Sequence, residues 1–447
     1  MPTWHGPMHL PGIPLTSSSI VQASCSGPGD CTAISESPAA DPSRVFASTE
    51  LRGHWQSPHV ISDGLPYFTV NSISCASALN CAFTGSYQTR TALFGIIVSE
   101  VNGRWGRPLI ITTAPDSTGQ TSSPGQVIDC PSVGNCVAGG GSTTPWVIAE
   151  TNGVWAPVVS LEPPSQETGP SVVEEVSCPS VGTCTFSGID TGGSGVFVES
   201  LTNGQWSGPT QIANLITPIN FQNNEPAAVN SISCVSATAC VLGGDYPVDR
   251  SPSMTYFVEP YVATETNGVW GPAAAPPGMV AANFGGSGTT SHVRCWQPGV
   301  CTALGLYSDH GQMYTWSAQL RGGRWAVTYD TSAHAKGGIY GPANDAWCIS
   351  AATCVLTATD SPPGSSETCV ISNGVCPLFT GPVVTDASRN GPWQPAHGVY
   401  PYYSYTYSTV FVLTCAPSGN YCLAGGGTDT DYSGLNWRQR DFLVVYS

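Results

Sequence analysis

The sequence predicts an all-β chain, an eight-bladed β-propeller built from four-stranded antiparallel blades. Three observations predict it. Cysteine pairs recur at one spacing, an Asn-Gly turn followed by tryptophan recurs at the same period, and the two chain ends each carry part of one further repeat. Composition agrees: 41% of residues are hydrophobic, only 9% are charged, and there are 51 glycines and 38 prolines among 447 residues. Soluble domains average roughly 25% charged residues. The balance here is that of short strands joined by many turns.

The cysteines set the period. Cys25/Cys31, Cys75/Cys81, Cys130/Cys136, Cys178/Cys184, Cys234/Cys240, Cys295/Cys301 and Cys348/Cys354 share the spacing C-x5-C, and Cys415/Cys422 is C-x6-C. From Cys25 to Cys415 the step is about 56 residues. Alternating runs such as "VNSISC" and "CAFTG" flank a five-residue polar loop, the pattern of a β-hairpin. Paired positions of such a hairpin lie close enough for a disulfide. Zinc sites prefer two to four intervening residues and four convergent ligands, which eight x5 pairs do not offer. Cys369 and Cys376 fall outside this grammar, in an insertion of the seventh repeat, and are expected to form a ninth bridge.

A third alternating run follows each hairpin ("FGIIVSE", "WVIAE", "VFVES", "YVATE"). Then come "EVNGRW" at 100–105, "ETNGVW" at 150–155 and again at 265–270, "LTNGQW" at 201–206, "LRGGRW" at 320–325 and "SRNGPW" at 388–393. Asn-Gly favours a type I′ turn because both central residues need positive φ. Each repeat therefore reads as four strands, here called A to D, with tryptophan opening strand D. Seven strand-D tryptophans are present: Trp55, Trp105, Trp155, Trp206, Trp270, Trp325 and Trp393. The eighth cysteine pair has a third strand, "RDFLVVYS", but no fourth, whereas the N-terminal "PTWHGPMHLPGI" reads as a strand D carrying Trp4. The expectation is one domain over 1–447, with a closing strand at 1–15. Its blades span about 19–61, 67–111, 125–161, 172–212, 227–275, 289–330, 343–397 and 408–447. Completing the last blade with the N-terminal strand leaves no unprotected edge.

The Asn-Gly-x-Trp turn resembles the Asp-box (BNR) repeat of sialidase-like propellers, Ser-x-Asp-x-Gly-x-x-Trp, which lies at the same C–D turn. Here Asn replaces Asp, and Gly to Trp is one residue shorter. The C-x5-C and NGxW units also resemble secreted actinobacterial repeat proteins. The Asp-box resemblance implies that the motif is structural and lies opposite the active face, so that Asn152, Trp155, Asn267 and Trp270 are not functional residues. A sialidase would carry an Arg-Ile-Pro signature near its start, and none is present.

Net charge is −16, which excludes nucleic acid and anionic membrane surfaces as partners, since both need a basic footprint. No apolar run reaches the ~18 residues needed to span a bilayer. Eighteen cysteines point to an oxidising, extracellular setting. The N-terminus lacks the basic and apolar regions of a signal peptide, so the sequence reads as a mature secreted, monomeric domain.

Candidate chemistry lies on the connections opposite the turns. Segments such as 161–175, 216–228, 278–292, 332–345 and 397–408 (D–A) and 244–253, 306–312 and 426–441 (B–C) interleave aromatics, amides and acids. Rings that stack on sugar faces, with amides and carboxylates for hydroxyls, are what a glycan site needs. Aligned on the first cysteine, the positions four and three before it read Val21-Gln22, Asn71-Ser72, Gln126-Val127, Glu174-Glu175, Asn230-Ser231, Ser291-His292, Asn344-Asp345 and Phe411-Val412. These form an expected polar rim around a channel mouth. Glu174, Glu175, Asp345 and His292 are its candidate acid/base groups; the opposing expectation is that they bond only to channel water. Asn71, Gln126, Asn230, Asn344, Arg250, His310, Tyr340, Tyr402, Tyr403 and Trp437 are candidate substrate contacts. No cofactor is expected; "DTDYSG" at 429–434 has the oxygen-rich look of a calcium loop but lacks the acidic ligands that complete an EF-hand, so a bound Ca2+ there stands only as a weak alternative. The expected function is cleavage of a glycan or polysaccharide by hydrolysis or lyase chemistry. The alternatives are a non-catalytic glycan-binding propeller and a cell-surface scaffold.

Overall fold

The computed structural model describes residues 4–13, 18–37, 44–62, 67–90, 92–112, 121–142, 144–161, 171–190, 195–215, 227–249, 256–279, 287–309, 312–329, 343–350, 353–360, 381–387, 397–398, 408–417, 421–429 and 439–446. The described chain is all-β, in separate sheets that each contain a path of four antiparallel strands; the first four sheets carry a further short strand on their third strand, and in the second Thr121–Ser123 also joins it, in parallel. The fourth sheet is representative: Ser171–Ser180, Thr183–Asp190, Gly195–Thr202 and Gln205–Trp206 pair in that order. In the last sheet the N-terminal strand Trp4–Met8 stands where a strand D would be. It pairs antiparallel with Gln439–Tyr446, Trp4 opposite Tyr446 and Met8 opposite Leu443.

The chain divides into two compact units. One holds residues 1–62, 312–314 and 330–447, with the first, seventh and eighth sheets; the other holds residues 63–311 and 315–329, with the second to sixth. In the first unit Ile20, Ala33 and Phe46 of the first sheet pack with Leu423, Leu443 and Val445 of the eighth. In the second, Val127, Val137 and Val147 of the third sheet pack with Val173, Phe186 and Leu201 of the fourth. Strand B of the fourth sheet is covered on both faces. Cys184, Thr185, Phe186, Ser187 and Gly188 are buried in succession, as in strands packed on two sides.

The cysteine hairpins form as expected. Cys25–Cys31, Cys75–Cys81, Cys130–Cys136, Cys178–Cys184, Cys234–Cys240 and Cys295–Cys301 are bonded with Cα atoms 4.0 Å apart, and Cys415–Cys422 at 3.9 Å. Cys348 is disulfide-bonded and stands in register with Cys354. Cys369 and Cys376 lie outside the described residues. Closing so short a loop contributes roughly 2 kcal/mol per bridge on the chain-entropy account.

The Asn-Gly turns have the expected backbone: Asn102, Asn152, Asn203 and Asn267 have φ of 49–54°, and the following glycines 77–79°. Their partner is the A–B turn of the same sheet. Gly153 N donates to Gly134 O at 2.8 Å and Asn152 N to Asn135 Oδ1 at 3.2 Å; Gly103 and Asn102 repeat this with Leu79 and Asn80. The two turns thus share one end of each sheet.

Two expectations are corrected. Strand D is not continuous: in the first four sheets a two-residue piece ending in tryptophan is followed by a gap and a second short piece, as in Val154–Trp155 and Val159–Ser160. The intervening proline (Pro58, Pro108, Pro157, Pro209) has no N–H to give to the ladder. The expected loops at 244–253 and 306–312 are also mostly strand. In the fifth sheet, strands B and C run through Asp249 and from Tyr256, and in the sixth through Asp309 and from Gln312. Polar side chains in "GDYPVD" masked a continuing ladder.

Candidate functional site

The rim residues occupy a special backbone position. In every sheet the ladder between strands A and B skips one residue, four places before the first cysteine: Val21, Asn71, Gln126, Glu174, Asn230, Ser291, Asn344 and Phe411. A β-bulge leaves that residue unpaired and re-aims its side chain. Asn71 Nδ2 donates to Gly125 O of the next sheet at 2.6 Å, and Glu174 Oε2 accepts Val229 N–H at 2.9 Å. Asn230 Nδ2 donates to Thr289 Oγ1 at 2.8 Å and Thr290 O at 3.2 Å.

A second set of stitches was not legible as a site. The residue before the first cysteine accepts the N–H of the next sheet's cysteine: Ser74 from Cys130 (3.0 Å), Asp129 from Cys178 (2.7 Å), Ser177 from Cys234 (3.0 Å) and Ser233 from Cys295 (3.0 Å). Desolvation pushes the Asp129 carboxyl up to about 6, against its bonds from Cys178, Cys130 and Ser74. Strands A of the second to sixth sheets are therefore joined side chain to backbone.

Where the fourth, fifth and sixth sheets meet, these stitches gather polar groups. Asn230 Nδ2 and Thr289 Oγ1 both donate to Asp245 Oδ1, at 3.0 and 3.1 Å. The Tyr261 hydroxyl, fully buried, donates to Ala228 O at 2.9 Å, and the Tyr246 hydroxyl to Glu259 Oε2 at 2.9 Å. The Glu174 carboxyl is pushed up to about 7, first by desolvation and then by the nearby Asp245 charge, with the Val229 bond opposing. Tyr261 is held well above the usual phenol range by burial and then by Glu174 and Asp245. Glu174 and Asp245 therefore sense each other. A carboxyl poised near neutrality can give or take a proton. Asp245 was missed because the repeats were aligned on their first cysteines. Alignment on the second would have shown Asp245 opposite Ala228, at the same end as Glu174.

The remaining candidates are placed as follows. Glu175 is half-buried in the ladder opposite Ser187. His292, two sheets from Glu174, pairs with Leu304; loss of hydration and then the Arg294 charge lower its pKa to about 3, so it is neutral at physiological pH. Gln126 is half-buried at its bulge. Asn344 and Asp345 lie in the strand Ala343–Ser350 of the other unit, where only backbone is described. Arg250, His310, Tyr340, Tyr402, Tyr403, Trp437 and the segment 430–434 lie outside the described residues. Among the described residues, no cluster of His, Cys, Asp and Glu could hold a metal ion, and no helix is long and apolar enough to cross a membrane.

No protein-family model and no curated protein sequence matches the chain. Solved structures do show likenesses. Sqt1 of Chaetomium thermophilum bound to the N-terminus of ribosomal protein L10 is 10% identical, with TM-score 0.47 and 97% of each chain covered. The GH74 xyloglucanase of Xanthomonas campestris is 11% identical, with TM-score 0.44, covering 98% of this chain and 68% of that one. The Penicillium chrysogenum α-L-arabinanase complexed with arabinobiose is 10% identical, with TM-score 0.39, covering 99% and 98%. At these values the likeness does not extend to activity or substrate.

Proposed function

We propose that the chain is a secreted eight-bladed β-propeller, closed by its N-terminal strand, and that it cleaves a glycan or polysaccharide by hydrolysis or lyase chemistry. Glu174 serves as the proton-transferring group, with Asp245 beside it. Asn71, Gln126 and Asn230 are the nearest candidates for substrate hydroxyls. The observation that carries this reading is the Glu174 carboxyl: re-aimed by a bulge, beside a second acid, and titrating near 7. Buried acids tuned to neutrality are common at catalytic sites, although structural networks also produce them.

A non-catalytic glycan-binding propeller is the second reading, and one observation favours it. The Asn71, Glu174 and Asn230 side chains already bond the neighbouring sheet, so their geometry has a structural use. The test is a polysaccharide panel read for new reducing ends and for absorbance of unsaturated uronates, with wild type and Glu174→Gln. Turnover lost in a Glu174→Gln protein of native stability supports the enzyme. Glycan affinity without turnover supports the lectin, and activity that survives the substitution removes Glu174 from the mechanism.

A further inference from the structure

Two junctions between consecutive sheets are built on one plan and finished differently. In each, the residue after the first cysteine and the residue before the second meet the next sheet near its cysteine hairpin and a strand-C glutamate. Between the eighth and first sheets these residues are Ala416 and Tyr421, and the glutamate is Glu50 opposite Trp55. Tyr421 is buried with Cys25, Cys31 and Ala33, and its hydroxyl lies 2.7 and 2.8 Å from the two Glu50 oxygens.

Between the second and third sheets the same positions hold Ala76 and Asn80, and the glutamate is Glu150 opposite Trp155. Asn80 lines the junction but spends its side chain within its own sheet. Its Nδ2 donates to Ser77 Oγ and Ala78 O, both at 3.1 Å, and its Oδ1 accepts Asn102 N–H at 3.1 Å. Where a phenol ring stands at one junction, the other has a cleft of about 370 Å³ lined by Ala76, Asn80, Ala82, Cys136 and two carboxyls, Glu100 and Glu150. Glu150 makes no side-chain hydrogen bond among the described residues, whereas its counterpart Glu50 receives the tyrosine hydroxyl. The carboxylate position is thus repeated and its donor is not.

We propose that this cleft binds a small para-substituted phenol. Its ring lies against Ala76, Ala82 and the Cys130–Cys136 bridge, and its hydroxyl donates to Glu150. The site is at the turn end of the sheets and independent of Glu174. The trapped hydroxyl is the recognition element, because burial makes an unanswered carboxylate costly. Burial raises the pKa of Glu150 and of Glu100, which faces the same cleft, so binding strengthens as pH rises and Glu150 accepts as a carboxylate.

Calorimetric titration of the full chain with p-cresol at about pH 8 tests the proposal, with toluene as the probe lacking a hydroxyl. One saturable site is expected, with toluene at least roughly tenfold weaker, the loss expected for a hydrogen bond to a charged group. Glu150→Leu should erase that preference. Asn80→Tyr should abolish binding by placing the protein's own phenol in the cleft. No saturable p-cresol binding to the folded wild type, equal affinity for toluene, or a preference unchanged in Glu150→Leu would overturn the proposal. The toluene comparison and Glu150→Leu decide the matter even if Asn80→Tyr does not fold.

Discussion

Glu100 offers a direct test of how the sheets are stabilised. It stands opposite Trp105 in the second sheet, is 3% exposed, and its Oε2 has no hydrogen-bond partner among the described residues. Desolvation pushes its carboxyl up from 4.5 to about 7. Between those pH values the native carboxyl keeps a proton that the unfolded chain has released, so stability falls as pH rises through the window. At about 1.4 kcal/mol per pH unit the upper bound is about 3.5 kcal/mol, which solvent screening brings down to about 1–2 kcal/mol. Glu265 (about 7), Glu174 (about 7) and Asp129 (about 6) act with the same sign. His292, lowered to about 3, acts oppositely, losing stability as pH falls below 6.5. Urea unfolding should therefore show a less stable protein at pH 8 than at pH 5. Glu100→Gln should gain about 1–2 kcal/mol at pH 8 and little at pH 5. Equal or greater stability of wild type at pH 8, or a Glu100→Gln slope identical to wild type, would refute the reasoning.

Further outcomes follow from the same contacts. Gly153→Ala, at φ 79° with nothing within 4 Å of the new Cβ, should cost only the left-handed backbone penalty of about 1–2 kcal/mol; thermal unfolding checks it. Ser74→Ala removes the acceptor for Cys130 N–H and a donor to Asp129, and should lower stability by about 1–3 kcal/mol in urea titration. Deleting residues 1–10 removes the strand that covers Gln439–Tyr446 and the Leu10 N–H that bonds buried Asp441. The truncated chain should unfold at lower temperature and aggregate through the exposed edge, as light scattering would show.

Much of the architecture was legible because it is periodic. The cysteine hairpins and Asn-Gly turns are dictated locally, by strand register and by the need for positive φ at residues such as Asn152 and Gly153. The N-terminal strand could be anticipated from Trp4 because the last repeat lacked its own strand D. Strand D itself was misjudged, because one proline interrupts a ladder without changing the apolar pattern. The bulge shared by Asn71, Glu174 and Asn230 was not legible: an unpaired residue looks like any other in the alternation of "SVVEEVSC". The stitches from Ser74, Asp129 and Ser177 join neighbouring sheets, and no local pattern specifies which backbone a serine will meet. Asp245 acquires its meaning only from Glu174 and Tyr261, which arrive from other strands.

The measurement that bears most directly on the account is the pH–rate profile of polysaccharide cleavage by wild type, Glu174→Gln and Asp245→Asn, each verified as folded. If Glu174 is the group that donates a proton to the leaving oxygen, turnover should fall as pH rises through about 7, where its carboxyl ionises. Glu174→Gln should be inactive, and Asp245→Asn should retain activity with the descending limb moved to lower pH, because a raising charge is lost. A profile flat across pH 7, or full turnover in Glu174→Gln, would contradict it.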